Sequence, residues 1–286
     1  MSTQITTAFV EQYKNNVLHL AQQKGSRLRD TARYTPVTGK SHYFERIGAT
    51  AAQVRTTRHS NTPQIDIPHS RRKVSLVDYD WADLIDQEDK VKMLITPQSE
   101  YAMAGANAMG RAMDDALIAA ATGNAFGGVA GATSIALPTA QKIAGGTTGL
   151  TLAKLLSAKE IIDSSDVDPE EARYVVCSAK QITDLLNTTQ VTSSDYNTVR
   201  ALASGQIDTF LGFKFIRSQR LPIATTIRSC LAYTESALGL AVGADITTRI
   251  SERDDKNYAT QVFLSMVIGA TRIEDEKVVE IGAKEA

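Results

Sequence analysis

The spacing of apolar positions along this chain changes several times, and each change predicts a different element. Phe9, Tyr13, Val17 and Leu20 recur at helical intervals and predict an amphipathic helix over residues 9–23, closed by Gly25. The basic, turn-rich run KGSRLRDTARYTPVTGK comes next and is too polar to build a core of its own. From Lys40 to about Tyr79 the pattern shortens to strand-like runs, SHYFERIG, TPQIDIPHS and RRKVSLVDYD, broken by prolines and by RTTRHSN. Alternation is clearest from Lys73 to Tyr79. These runs predict a long two-stranded excursion whose tip, around Arg55 to Asn61, is polar and exposed. A lone hairpin is marginal in water, so this one needs a partner surface.

DWADLIDQEDKVKMLI predicts a helix with Trp81 and Leu84 turned inward, and Thr96-Pro97 then offers a capping hydroxyl and a first-turn proline to the next helix. That helix, residues 97–122, would span about 39 Å. One stripe of it holds Ala102, Gly105, Met109, Met113, Ala116 and Ala120, and the other side holds Glu100, Asn107, Arg111 and Asp114. Small side chains let a neighbouring backbone approach closely, and methionine fills irregular gaps, so the rod is suited to lying on a thin sheet.

GNAFGGVAGATSIALPTAQKIAGG reads as a glycine-rich flexible or extended connector. Residues 151–222 then alternate helix (TLAKLLSAKEIIDSS), strand (ARYVVCS), helix (SAKQITDLLNT), polar loop, short helix (NTVRALASG) and strand (FLGFKFIRS), a compact α/β unit. CLAYTESALGLAVG, ITTRISERDD, YATQVFLSMVIGATRI and KVVEIGA close the chain as strands, with Asp254-Asp255-Lys256-Asn257 as a hairpin turn. They are expected to supply the sheet on which the long helix lies.

Composition narrows the function. With 43% hydrophobic residues the chain can bury a sizeable core, and a net charge of -1 excludes a protein that coats nucleic acid through a general basic excess. Cys177 and Cys230 sit in apolar runs and read as core residues of a reducing compartment, with no metal-ligand spacing around them. The start of the chain lacks a secretory pattern. Arg111, Asp114 and Asp115 in the middle of the alanine-rich helix would each cost about 2.5 to 3.5 kcal/mol at a bilayer centre, so it is read as a helix in water.

No chemistry-bearing constellation stands out. His19, His42, His59 and His69 are scattered, and NTTQVTSSDYNT has no nucleophile elbow around its serines. The connector lacks the endings of a phosphate loop. Asp115 is expected to pair with Arg111 one helical turn back. No catalytic residue, cofactor or metal is expected, and the chain is not read as an enzyme.

The order of arm, long hairpin, alanine-rich helix, α/β unit and returning strands resembles the major capsid proteins of tailed bacteriophages, the α+β fold named after phage Hong Kong 97, and especially the shells of short-tailed phages. TGKSHYFERIGATAAQV looks like the outgoing strand of that family's extended loop, and RRKVSLVDYD with the segment to Gly123 looks like its return, the entry to the peripheral domain and the spine helix. The resemblance implies an N-terminal arm (1–37), an extended loop (38–79), a peripheral domain (80–148) with a spine helix (97–122), an axial domain (149–229) and a return with closing strands (230–286). It implies self-assembly through pentamers and hexamers into an icosahedral shell around double-stranded DNA held without sequence specificity. A portal and, given the short arm, a separate scaffolding protein are the implied partners. Assembly is expected in the host cytoplasm, with no membrane involved.

On that reading Arg55, Arg58, Arg71, Arg72 and Lys73 are candidate intersubunit contacts to carboxylates, and Arg27, Arg29 and Arg33 are candidates to face DNA or a neighbour's acidic patch. Some members join subunits covalently through a lysine and an asparagine, but nothing around Lys40 and Asn61 marks a reactive pair, so no crosslink is expected. Two rivals remain: a cellular nanocompartment shell of the same fold, separated by particle contents or genomic neighbourhood, and an α/β enzyme with a ligand near the connector, separated by a ligand-dependent melting shift.

Overall fold

A computed structural model describes residues 22–59, 61–86, 98–187 and 209–285. The helices expected over residues 9–23 and over NTVRALASG fall almost wholly outside them. In chain order the elements are β1 (Arg33–Pro36), β2 (Ser41–Ile47), β3 (His69–Ser75), β4 (Val77–Ile85), α1 (Gln98–Thr122), β5 (Ala125–Gly127), β6 (Thr133–Ile135), β7 (Lys142–Ile143), α2 (Leu152–Asp163) and β8 (Arg173–Cys177). There follow α3 (Ala179–Leu186), β9 (Thr209–Phe210), β10 (Phe213–Arg217), β11 (Ile223–Ala224), β12 (Ile227–Thr234), β13 (Leu238–Arg253), β14 (Ala259–Arg272) and β15 (Val278–Lys284).

These strands form three sheets. The first has the order β1-β13-β14-β4 and carries α1 on one face. Along β14 the residues Val262, Leu264, Met266 and Ile268 alternate inward and are fully buried, which is the period of a strand covered on one face. The β13–β14 hairpin closes over a short helical turn at Asp254–Lys256, followed by Asn257 and Tyr258 with positive φ. Asparagine tolerates that left-handed region, as the turn reading required.

The second sheet runs β7-β15-β12-β8-β10-β9, with β11 paired to β12. Strands β8 and β10 are parallel and connected through α3, whose N-terminus is closed by a capping box of Ser178 and Gln181. Every residue of β8 is buried, as expected of a strand covered on both faces. Cys177 and Cys230 are free thiols at the centre of this sheet, and burial pushes the Cys177 thiol up to about 12, so neither is poised to react. Lys154 fastens the glycine-rich turn to β15: its ammonium donates to the carbonyls of Gly145, Thr148, Gly149 and Gly282 at 2.7 to 3.0 Å.

The third sheet, β2-β3-β5-β6, is the hairpin with an addition. Segments expected to be a loose connector supply β5 and β6, and β5 pairs with β3 at Arg72 and Lys73. The glycines there serve as turns and close approaches, with Gly128 and Gly131 at positive φ.

Two expectations need correction. DWADLIDQEDKVKMLI does not open as a helix: residues 77–85 form β4, paired with β14 from Ile85↔Thr260 to Val77↔Ile268. Trp81 and Leu84 lie on opposite faces of that strand, Trp81 against the core and Leu84 44% exposed. The span also scores at helical spacing, but a nine-residue ladder to a distant strand decides the matter. Residues 87–97, including Thr96 and Pro97, lie outside the described part. The closing strands do not stay together either. β15 leaves the sheet beside α1 and pairs over seven residues with β12 in the α/β sheet, so residues 230–286 are divided between two sheets.

Candidate assembly surfaces

The hairpin of β2 and β3 projects from a well-packed root. Phe44 and Val74 are buried against Ala241 and Ile273, with Val37 and Leu76 beside them. Past Ile47 and His69 the ladder stops, and the Gly48 N–H donates to the Pro68 carbonyl at 2.9 Å. Residues 48–59 and 61–68 are all exposed, Val54 at 88% and Ile67 at 46%. This finger is both apolar and basic, and all of its described residues are exposed. Within it, Arg55 donates to the Thr57 carbonyl at 3.0 Å, and Arg58 is exposed.

The five hairpin cations are therefore not equivalent. Arg71 pairs with Glu45 at 3.3 Å and lies over the Tyr43 ring. The Lys73 stem lies where a side chain on Gly131 would have to go, and the residue is half-buried. Arg72 is turned into its own chain. It is buried and donates to Asp275 at 2.6 Å, and that same carboxylate accepts from the fully buried Arg272 at 2.5 Å. Arg272 also donates to the carbonyls of Ala121, Gly123 and Ile135 at 2.6 to 3.1 Å. Burial lowers the Arg72 pKa, partly offset by Asp275. One carboxylate thus ties the hairpin root to the end of α1 and to β6.

The arm is tied down comparably. The Asp114 carboxylate, fully buried on α1, accepts from the N–H of Arg27 and Leu28 at 3.1 Å, from the Ser26 hydroxyl at 2.5 Å and from the Gln23 side-chain amide. Asn107 accepts from the Gly25 N–H at 3.0 Å. Glycine at position 110 lets this segment in, since a Cβ there would fall on the Gly25 backbone. Asn107 and Asp114, expected on the outer side of the helix, are therefore buried under the arm. Asp115 pairs with Arg220, not Arg111, which instead donates to the Gln22 side chain and the Gln23 carbonyl.

The three arginines of the arm each have a contact within their own chain, although Arg27 and Arg33 stay exposed. Arg27 donates to the Arg217 carbonyl at 2.5 Å, Arg29 makes a two-pronged pair with Asp245 at 2.6 and 3.2 Å, and Arg33 lies 6.0 Å from the Phe44 ring centre. The bond to Asp245 raises the Arg29 pKa and holds Asp245 below its ordinary value.

On α1 the stripe residues are placed as follows. Gly105 abuts Leu264 and Trp81, with a Cβ there falling 2.7 Å from each. Met109 and Met113 are buried, and Ala102 and Ala116 pack at the core's edge. Ala120 is half-buried, because the buried line passes through Leu117 and Ala121.

Beside the hairpin root runs a groove of about 690 Å³ between β2 and the loop after α2. Asp166, Asp168, Glu171, Glu274 and Glu276 line it, with Arg46 and Lys277 on its wall. Lys277 lies 3.4 Å from both Glu171 and Glu274, while Arg46 is turned to the Ile273 carbonyl at 2.5 Å. Burial pushes the Glu171 carboxyl up, but hydrogen bonds from Ser236 and Thr234 and the Lys277 charge hold it below its ordinary value. Among the described residues no cluster of metal-ligand type occurs, and no helix is long and apolar enough to cross a membrane.

Sequence reading missed Asp114, Asp275, Arg272 and this groove. For Asp114 a signal existed, a carboxylate adjoining the methionine stripe. For the others the partners lie too far along the chain.

The arm, projecting hairpin, long helix on a thin sheet and separate α/β sheet make up the HK97-like capsid fold. Solved structures with this architecture include the capsid structure of cyanophage P-SCSP1u, 21% identical, with a TM-score of 0.76 over 100% of this chain and 96% of that one. The cyanophage Pam1 capsid asymmetric unit is 12% identical, with a TM-score of 0.70 over 98% of each chain. The capsid of a native GTA particle computed with C5 symmetry is 13% identical, with a TM-score of 0.68 over 96% of this chain and 94% of that one. No curated protein matches in sequence. The phage capsid protein family model matches residues 5–285, and the chain belongs to that family.

Proposed function

We propose that the chain is the major capsid protein of a tailed bacteriophage, assembling through pentamers and hexamers into an icosahedral shell around double-stranded DNA. One observation carries this reading: the finger of residues 48–59 and 61–68 leaves Val54, Ile65, Ile67, Arg55 and Arg58 exposed among the described residues. Such a segment gains order by lying on a neighbour, and repeating one head-to-tail contact closes a ring. Family membership and the likeness to a GTA capsid computed with C5 symmetry support it. The near-neutral charge suits a container that holds DNA without reading its sequence. The virion is its location, host cytoplasm its place of assembly, and a scaffolding protein and portal its further partners.

Negative-stain microscopy and light scattering of the protein, alone and coexpressed with its genomic neighbours, test the proposal. Closed shells or five- and six-membered rings are expected, with nuclease-resistant DNA in particles from infected cells. A uniform monomer or dimer in every sample would overturn it. The charge-reversed variant R55E/R58E should remain folded and fail to form shells.

A further inference from the structure

The finger supplies cations, and the structure also offers a place for them. Six carboxylates line the groove at the hairpin root, Glu45, Asp166, Asp168, Glu171, Glu274 and Glu276, against three cations, Arg33, Arg46 and Lys277. Glu45 answers Arg71, and Glu171 and Glu274 share Lys277. Asp166, Asp168 and Glu276 have no ion pair among the described residues, and all three are exposed. The groove therefore presents uncompensated negative charge beside a buried floor that includes Val167 and Ile273. The finger has the matching character: Arg55 and Arg58 at its tip, one acid at Asp66, and exposed Val54, Ile65 and Ile67.

We infer that this acidic groove is the receptor for the finger tip of a second copy of the chain, with Asp166, Asp168 and Glu276 receiving Arg55 and Arg58. The inference rests on the assembly reading and adds the partner surface. Ile47, Gly48 and Ala49, where the finger begins, line the groove itself. Arg55 and Arg58 of the same chain do not line the groove and make no ion pair among the described residues, so donor and acceptor would meet between copies. Donor and acceptor are different patches, which makes the contact heterologous and able to propagate around a ring. The apolar residues of the finger cover the groove floor while the charges fix its register.

The test is a charge exchange in the full-length chain, read as particle yield by light scattering and microscopy, with circular dichroism of each unassembled subunit as the folding control. R55E/R58E and D168K/E276K should each lower the yield about tenfold or more, because like charges then face each other. R55E/R58E/D168K/E276K should restore it. Asp168 also accepts from the Glu170 N–H at 3.0 Å. If D168K/E276K does not fold, the gentler D168N/E276Q carries the test, with a smaller loss of yield expected. Unchanged yield from a folded acceptor variant, or no restoration in the folded fourfold variant, would overturn the groove assignment alone. Absence of particles from the unmodified chain under every condition would overturn the assembly reading beneath it.

Discussion

Asp275 is a single carboxylate between two buried guanidiniums, and replacing it with asparagine asks what that position is worth. The side chains of Arg72, Arg272 and Asp275 are 5%, 0% and 10% exposed, so water cannot take over. The substitution keeps the shape but removes the charge and turns an NH2 group toward a donor. Two charge-assisted bonds, at 2.5 and 2.6 Å, are weakened or lost, each worth about 1.5 to 3 kcal/mol. Arg272 keeps the carbonyls of Ala121, Gly123 and Ile135, two of them at the negative end of α1, and so retains partial compensation. Among the described residues Arg72 keeps the Ile273 carbonyl at 3.4 Å. The expected loss is about 3 to 5 kcal/mol, the usual range for breaking a buried pair from one side. Denaturant unfolding of the unassembled subunit, followed by circular dichroism, measures it. Since most of the loss comes from the stranded Arg72, R72M/D275N should cost clearly less than the sum of R72M and D275N. A D275N loss under about 1 kcal/mol, or strict additivity in the cycle, would refute the reasoning.

Gly110→Ala should destabilise the subunit by about 1 to 3 kcal/mol through overpacking, although the same change in a free helix would gain about 1 kcal/mol. Limited proteolysis near Lys24 should show the arm released, and a G110A variant more stable than the unmodified chain would mean the arm does not pass there. Asp245, held below its ordinary 3.8 by Arg29, contributes stability that is present at neutral pH and fades as pH falls through its lowered value. Proteolysis of the arm against pH should therefore stay flat from pH 7 to about 5 and rise below about 4, with D245N raising cleavage at pH 7 and shrinking that rise. Mature particles on denaturing electrophoresis should run as monomer, since nothing around Lys40 and Asn61 marks a reactive pair; a ladder of oligomers would contradict this.

What could be read from sequence was what local forces decide. The long helix follows from a 3.6-residue period sustained over 25 residues, and the turn at Asn257 from one side chain that tolerates positive φ. The α2–β8–α3–β10 order follows from alternating helix and strand patterns with a capping box between them. β4 escaped because Trp81, Leu84 and Ile85 fit a helix as well as a strand, and the deciding partner, β14, is nearly two hundred residues away. β15 escaped for a related reason: a buried seven-residue strand carries no local mark of which sheet it will join. The candidate surfaces were legible only in part. Exposed arginines on a proline-broken loop mark a projection, but nothing local shows that Arg72 turns inward while Arg55 does not.

The buried charges have a common logic. Two segments at the edge of the body are each fixed by one carboxylate, Asp275 under the hairpin root and Asp114 under residues 25–28, while the finger beyond the hairpin root is exposed. Hydrophobic packing could hold the roots as firmly, since buried ion pairs are poor sources of net stability. What charge adds is direction. Arg272 is oriented by three carbonyls and Asp114 by two successive N–H groups, so each root is held in one orientation. A projection launched in a fixed direction loses less freedom when it docks, because only its tip remains to be ordered. If this is the use of the buried charges, D275N should slow assembly more than its loss of subunit stability explains. The comparison to make is with a core variant of equal stability loss, such as Val262→Ala, whose particles should form at the faster rate.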